Sequence, residues 1–267
     1  HDMELSSQQV AFFDVFGYLV LRNVFDEDQV QAMSDDFDSV ALADRDGKEF
    51  DGERRQNITL GETESFKDLK YRDELFYPLQ QLLGEGFVTT GEPGGGLFVG
   101  DTQWHPDVAE VSEQTRIKAG IYLDPVRKES GALRIVPGSH KNPLHELLQP
   151  LRMGRLKEAL VDGRLLSNIA PASEADRREL EAWEKRSGMN TDDNNTIYGY
   201  EPSEIPCATM ETNPGDVGFF NQCIFHAAFG GRDGRRMVAP TWASAPVKED
   251  DFKGDIVNDL RKANHVG

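Results

Sequence analysis

The chain has 267 residues, 38 % hydrophobic and 9 % aromatic, enough to bury a sizeable core, so global disorder is not expected. Its 29 Lys and Arg against 47 Asp and Glu leave a formal charge of −18, a field that opposes phosphate backbones and anionic lipid and argues against nucleic acid or a membrane as partner. No run approaches the roughly 18 apolar residues of a spanning helix, and Cys207 and Cys223 are too few for a disulfide framework. No basic stretch followed by an apolar one opens the chain, so a cytoplasmic protein is expected. The length suits a single all-β domain. Nothing in the sequence speaks to oligomeric state.

In chain order, Ser6 with Gln9 is a capping-box pattern that opens a helix through Val10-Ala11-Phe12-Phe13, and Gly17 stops it. Tyr18-Leu19-Val20-Leu21 reads as a short buried strand. Asp26 with Gln29 repeats the capping signal, and Val30, Met33, Phe37 and Val40 form the core stripe of a second helix. Residues 44–65 are polar and turn-rich, and Phe66 to Leu83 reads as helical, broken near Pro78. From Phe87 the texture turns to short β-rich runs between turn signals. These runs are Phe87 to Thr90, Leu97 to Val99, Ile117 to Leu123, Ala132 to Val136, Val217 to Phe220, Ile224 to Ala228 and Met237 to Trp242, with Glu92-Pro93-Gly94-Gly95-Gly96 as a turn. A mainly β sandwich or barrel is expected, with residues 1–86 as N-terminal helical support and 87–143 with 206–245 as the core. Residues 144–205 form a partly helical insertion, with helical patterns at Leu156 to Leu160 and Glu174 to Trp183 and a polar loop at Asn190 to Asn195. It reads as a cover for the barrel mouth, and a solvated excursion is the plainer alternative.

One of six histidines lies in Gln103-Trp104-His105-Pro106-Asp107. On an extended strand His105 and Asp107 share a face, and Gln103 shares it too. A histidine and a carboxylate in this relation are two thirds of the facial triad that holds non-haem Fe(II) with positions left open. A third ligand has to come from elsewhere. His226 ends an apolar strand-like run, where a satisfied core histidine is the plainer reading. The chain then turns through Gly230, Gly231 and Gly234 into Arg235-Arg236, one of which should point inward by alternation. A buried guanidinium needs an anion, and the distal carboxylate of a dicarboxylate matches its planar fork.

Five pieces in order carry a family resemblance: the helix and strand from Gln9 to Val24; His105-Pro106-Asp107; Ile121-Tyr122-Leu123-Asp124 with Ser130-Gly131-Ala132-Leu133 and Val136-Pro137-Gly138-Ser139-His140; Asn213-Pro214-Gly215-Asp216-Val217; and the distal histidine. Together they resemble the phytanoyl-CoA dioxygenase family of Fe(II)- and 2-oxoglutarate-dependent oxygenases. The resemblance implies a double-stranded β-helix, a cupin-like jelly-roll. It implies His105, Asp107 and His226 as iron ligands and Arg236 as partner of the distal carboxylate of 2-oxoglutarate, with Arg235 as the alternative. Gln103, Lys118 and Tyr122 would contact co-substrate or substrate, although Lys118 reads equally well as outward-facing. His140 reads as structural, and His145 and His265 as surface residues. The sequence departs from the family at Ala228, where many relatives place a hydroxyl side chain.

The activity so implied is hydroxylation of an unactivated C–H bond of a small molecule, with O2 consumed and succinate and CO2 released. Asp107 fills the position that halogenases on this fold leave small, which disfavours halogenation. Desaturation and ring formation stay open, and a jelly-roll binding module without catalysis is the alternative from another class. The substrate is not legible. No basic cluster announces a phosphate or coenzyme-A tail; Arg152, Arg155, Lys157 and Arg164 in the insertion are the candidates for one, with lid-surface charge as the default reading.

Overall fold

The computed structural model describes residues 3–162, 173–187 and 200–264. Two helices open the chain, α1 (Ser7–Phe16) and α2 (Glu27–Asp44), each started by a complete capping box, Ser6 with Gln9 and Asp26 with Gln29. Gly17 ends α1 at φ 79°, a left-handed cap that glycine adopts without steric cost. Helix α3 (Asp73–Leu83) runs through Pro78 rather than breaking there, and residues 66–72 before it are turns and a short 3-10 segment.

Among the described residues two antiparallel sheets make the body, one of eight strands and one of four. The large sheet runs β1 (Tyr18–Leu21), β9 (Val217–Asn221), β6 (Arg116–Tyr122), β11 (Arg235–Val238), β4 (Gly94–Phe98) and β2 (Arg55–Thr59). Strand β12 (Thr241–Ala243) also pairs with β6 and carries β3 (Val88–Thr89) at its other side. The small sheet is β5 (Thr102–His105), β10 (His226–Gly230), β7 (Ser130–Ile135) and β8 (Ala208–Met210). This is the expected jelly-roll, and β1 is the strand expected over Tyr18 to Leu21, whereas β2 is a strand in the stretch 44–65 that reads as polar and turn-rich. The single strand expected over Met237 to Trp242 is two strands divided at Ala239-Pro240.

Strand alternation sorts the side chains into layers. Ile117, Ala119 and Ile121 of β6 join Phe37, Leu75, Leu79 and Phe219 in the main core, between the large sheet and α1 to α3. Lys118 and Tyr122 of the same strand face the cavity between the sheets. On the small sheet Trp104, Phe225, Ala227 and Phe229 point outward into a second cluster with Leu148 and Leu151 of the insertion. His226 and Ala228 therefore point inward.

The Gly94-Gly95-Gly96 run, expected as a turn, is strand β4. A Cβ on Gly95 would stand 2.7 Å from both Leu60 and Phe37, so the glycine lets two fully buried side chains press on the backbone. Of the insertion, α4 (Leu144–Leu147), α5 (Gln149–Asp162) and α6 (Glu174–Ser187) are described, and α5 packs on β5. The Asn190 to Asn195 loop, Arg164 and His265 lie outside the described residues. No helix among the described residues is long and apolar enough to cross a membrane. Both cysteines are free.

Candidate metal centre and co-substrate cavity

The two inner strands of the small sheet bring the triad together. His226 and His105 are Cα partners across the β10–β5 ladder, with ring centroids 4.4 Å apart. Each ring donates through Nδ1 to a carbonyl two residues back on its own chain, His105 to Gln103 at 2.7 Å and His226 to Ile224 at 3.0 Å. That bond fixes the ring and leaves Nε2 as a bare lone pair, the usual outer support of a metal-ligating imidazole. Asp107, just past β5, places Oδ1 3.9 Å from Nε2 of His105 and 3.7 Å from Nε2 of His226. All three donors lie within 4.8 Å of one another, a spacing that one ion can gather.

The electrostatics suit a cation. Burial holds His105 well below the usual histidine range, with His226 and Arg155 adding to it. Burial lowers His226 as well. Both rings are therefore neutral at pH 7 and need lose no proton to bind metal. Burial pushes Asp107 up, but Lys118 and the two imidazoles outweigh it and hold the carboxyl far below the usual carboxylate range. Lys118 points inward, its Nζ 2.5 Å from Asp107 Oδ2, which leaves Oδ1 to the metal side. Two neutral imidazoles and one carboxylate are a donor set for a borderline divalent ion such as Fe(II).

The triad faces a cavity of about 360 Å³ between the sheets, within the range of small-molecule sites. Its far wall carries Arg235, 3 % exposed, whose charge lies beside the phenol of buried Tyr122. Its guanidinium occupies a space that only glycines leave. A Cβ on Gly131 would stand 2.5 Å from Arg235 Cζ and one on Gly231 2.3 Å from Nη1, and both glycines have positive φ. Unlike Arg236, Arg235 forms no ion pair with a carboxylate among the described residues, so its charge has no direct partner at this wall. A carboxylate of 2-oxoglutarate fits that need.

Three expectations change here. Arg236 does not face the cavity. It is held outside by Asp124 at 2.8 Å, Asp38 at 3.0 Å and Ser34 at 2.6 Å, so the inward arginine is Arg235. Gln103 lends only its carbonyl. His226 opposes His105 while Ala228 opposes Thr102, so two residues of β10 match three of β5, and this bulge brings Thr102 into the cavity in place of Gln103. His145 is 1 % exposed, not a surface residue, and its ring nitrogens lie 3.0 Å from the carbonyls of Ser139 and Cys223 and 2.8 Å from that of Ala109. His140 has the structural place expected, packed on Gly17 and bonded to the Asp14 carbonyl.

Sequence reasoning missed Thr102 and Arg54. The hydroxyl absent at Ala228 stands directly across the ladder on Thr102, where it accepts from Arg54 at 3.1 Å. Burial, then Arg235, pushes Arg54 down to about 10, still cationic at neutral pH. Nothing in the polar stretch around Arg54 marks it as inward.

Solved structures share this architecture. The non-heme alpha ketoglutarate dependent carbocyclase SnoK from nogalamycin biosynthesis superposes with TM-score 0.59 at 19 % identity, over 94 % of this chain and 93 % of that one. HygX from Streptomyces hygroscopicus, solved with nickel and 2-oxoglutarate bound, gives 0.56 at 18 % identity, over 96 % and 99 %. EvdMO1 gives 0.55 at 19 % identity, with 90 % of this chain spanning 50 % of that protein's length. At these identities the likeness is one of fold. No curated protein matches the chain. A family model described as phytanoyl-CoA dioxygenase matches residues 13–237, and on that match the chain belongs to the phytanoyl-CoA dioxygenase family of Fe(II)- and 2-oxoglutarate-dependent oxygenases.

Proposed function

We propose that the protein is an Fe(II)- and 2-oxoglutarate-dependent dioxygenase that hydroxylates an unactivated C–H bond of a small molecule, with succinate and CO2 as co-products. One observation carries the reading: His105, Asp107 and His226 converge on a cavity whose opposite wall holds a buried arginine that pairs with no carboxylate among the described residues. Iron with 2-oxoglutarate and O2, when bound, supplies the oxidising power for breaking the C–H bond. The chain's own part is ligation, orientation and exclusion of water. His105, Asp107 and His226 would hold the metal at the cavity wall, through the two Nε2 atoms and Oδ1 of Asp107. Lys118 fixes Asp107, and the carbonyls of Gln103 and Ile224 fix the imidazoles. Arg235, with Tyr122 and Thr102 beside it, takes the distal carboxylate of 2-oxoglutarate, while Phe220, Leu133 and Met237 make the cavity's apolar lining.

His105→Ala, Asp107→Ala and His226→Ala should each lower Fe(II) affinity by more than ~10-fold and abolish succinate release, with an unchanged circular dichroism spectrum. Metal analysis after dialysis and a succinate-release screen over small metabolites, amino acids, acyl-CoAs and natural-product intermediates check this. Full activity in any variant removes that residue from the triad. Mass spectrometry of the product decides the outcome of the reaction. The carboxylate of Asp107 opposes a halide sterically and by charge, so a hydroxylated product is expected even in high chloride. An alkene or a new ring, the latter in keeping with the likeness to a carbocyclase, would keep the triad and replace the hydroxylation step. Iron binding without succinate release from any substrate would favour a silent binding module.

A further inference from the structure

His105 and Asp107 also line a second cavity, of about 190 Å³, closed on its other side by Arg152, Arg155 and Leu156 of α5 and by Asp176 of α6. Its charged groups are unequally placed. Arg152 lies 2.7 Å from Glu179. The Asp176 carboxylate is occupied by its own helix start, accepting from the backbone N–H and the hydroxyl of Ser173, each at 2.7 Å. Asp107 gives one oxygen to Lys118 and turns the other to the histidines. Of the cavity's two arginines, Arg155 is the one without an ion pair. It is 8 % exposed, its buried Nε has no partner, and among the described residues no carboxylate lies within ion-pair distance. Burial, with Arg152 adding to it, pushes it down to about 10, so the guanidinium still carries its charge at neutral pH.

Asp107 favours its charge from across the cavity but is bonded to Lys118, and a buried guanidinium with no carboxylate paired directly to it is costly, so a fold keeps one where a ligand completes it. The co-substrate has its own guanidinium, Arg235, in the other cavity, and Arg155 is not among that cavity's lining residues. Both cavities meet at His105 and Asp107, so a molecule seated in the second reaches the metal from a different wall. We infer that the substrate carries an oxyanion group, a carboxylate or a phosphate ester, that docks on Arg155 in the cavity between α5 and the metal triad. The inference rests on the oxygenase reading and names the substrate class for it. The planar fork of Arg155 accepts either oxyanion, and Leu156 offers an apolar flank for the adjoining carbon.

The test uses Fe(II)-loaded protein without oxygen, saturated with 2-oxoglutarate, and titrated calorimetrically with propionate, methyl phosphate and the neutral isostere propionamide. Wild type should bind at least one anion more than ~10-fold tighter than propionamide, and the tighter of the two names the oxyanion. Arg155→Gln should weaken that binding by more than ~10-fold and leave 2-oxoglutarate affinity unchanged, with Arg155→Lys, which keeps the charge but not the fork, in between. Equal anion affinity in wild type and Arg155→Gln would place the anion on the metal and overturn the inference. So would an anion affinity in wild type no better than that of propionamide. A loss of 2-oxoglutarate affinity in Arg155→Gln would overturn it too, by giving Arg155 to the co-substrate. If wild type bound no 2-oxoglutarate but still bound the anion through Arg155, the oxygenase reading would fall and the anion site would stand.

Discussion

Arg235 and Arg236 are neighbours in sequence with opposite surroundings. Arg235 is buried against Tyr122 and two glycines, whereas Arg236 is tied to Asp124, Asp38 and Ser34 at the outer edge. Arg235→Ala should therefore weaken 2-oxoglutarate binding by ~2–5 kcal/mol, the range for truncating one partner of a desolvated charge pair. Arg236→Ala should leave that affinity alone and cost ~1 kcal/mol of stability, as its partners are partly solvated. Calorimetry and denaturant melts on both variants separate the two roles, and the reverse pattern would return the co-substrate to Arg236. The sequence could limit the choice to this pair but not decide it. Alternation needs a known phase, and the left-handed glycines at positions 230, 231 and 234 erase the phase between β10 and β11. Gln103 was misplaced for a related reason, because the bulge in β5 inserts one residue into the alternation. His105 and Asp107 were legible as a pair because the bulge falls outside the interval between them, and His226 through the family resemblance rather than through spacing.

At the scale of elements, the N-terminal helices were readable because their starts are written in side-chain chemistry, as the two capping boxes show. Strand β4 was not, since three glycines in a row carry a turn signal whatever they do in the sheet. Gly95→Ala should destabilise the fold by ~1–3 kcal/mol, the cost of overpacking a filled core, because Phe37 and Leu60 have nowhere to retreat. A thermal melt checks this, and an unchanged midpoint would mean that the core yields. The turn into β9 is a second case. Asp216 accepts from the backbone N–H groups of Asn23 at 3.0 Å and Asn213 at 2.9 Å and from Arg22 at 2.7 Å. Burial raises its pKa, but these bonds outweigh it and leave the carboxyl below its ordinary value. A depressed folded value means stability that is present above the unfolded pKa of roughly 3.9 and lost as pH falls through the folded one. Asp216→Asn should cost ~1.5–3 kcal/mol at pH 7, and urea melts should show the gap to wild type narrowing below about pH 4.

Across the whole molecule, the jelly-roll was legible from its short strands and turn signals, while the insertion's role was not, because polar helices over a cavity and polar helices in solvent read alike. The chain's excess of acid has a measurable effect of its own. Self-repulsion at −18 opposes the compact state, so moderate salt should raise the melting temperature by ~2–4 °C, about 1 kcal/mol for a domain of this size. A midpoint that falls with salt would show that specific ion pairs outweigh the net field. The cationic cavity within this acidic shell bears in turn on the speed of ligand capture. A dianion such as 2-oxoglutarate must cross a repulsive outer field before it meets Arg235. Salt thins that field, whose reach shrinks from ~30 Å at 0.01 M to ~10 Å at 0.1 M, and screens a buried guanidinium far less. The association rate should accordingly rise with ionic strength over that interval, opposite in sign to an electrostatically steered encounter. Stopped-flow mixing measures it directly, and a rate that falls with salt would show that the potential at the cavity mouth, rather than the charge of the whole protein, governs entry.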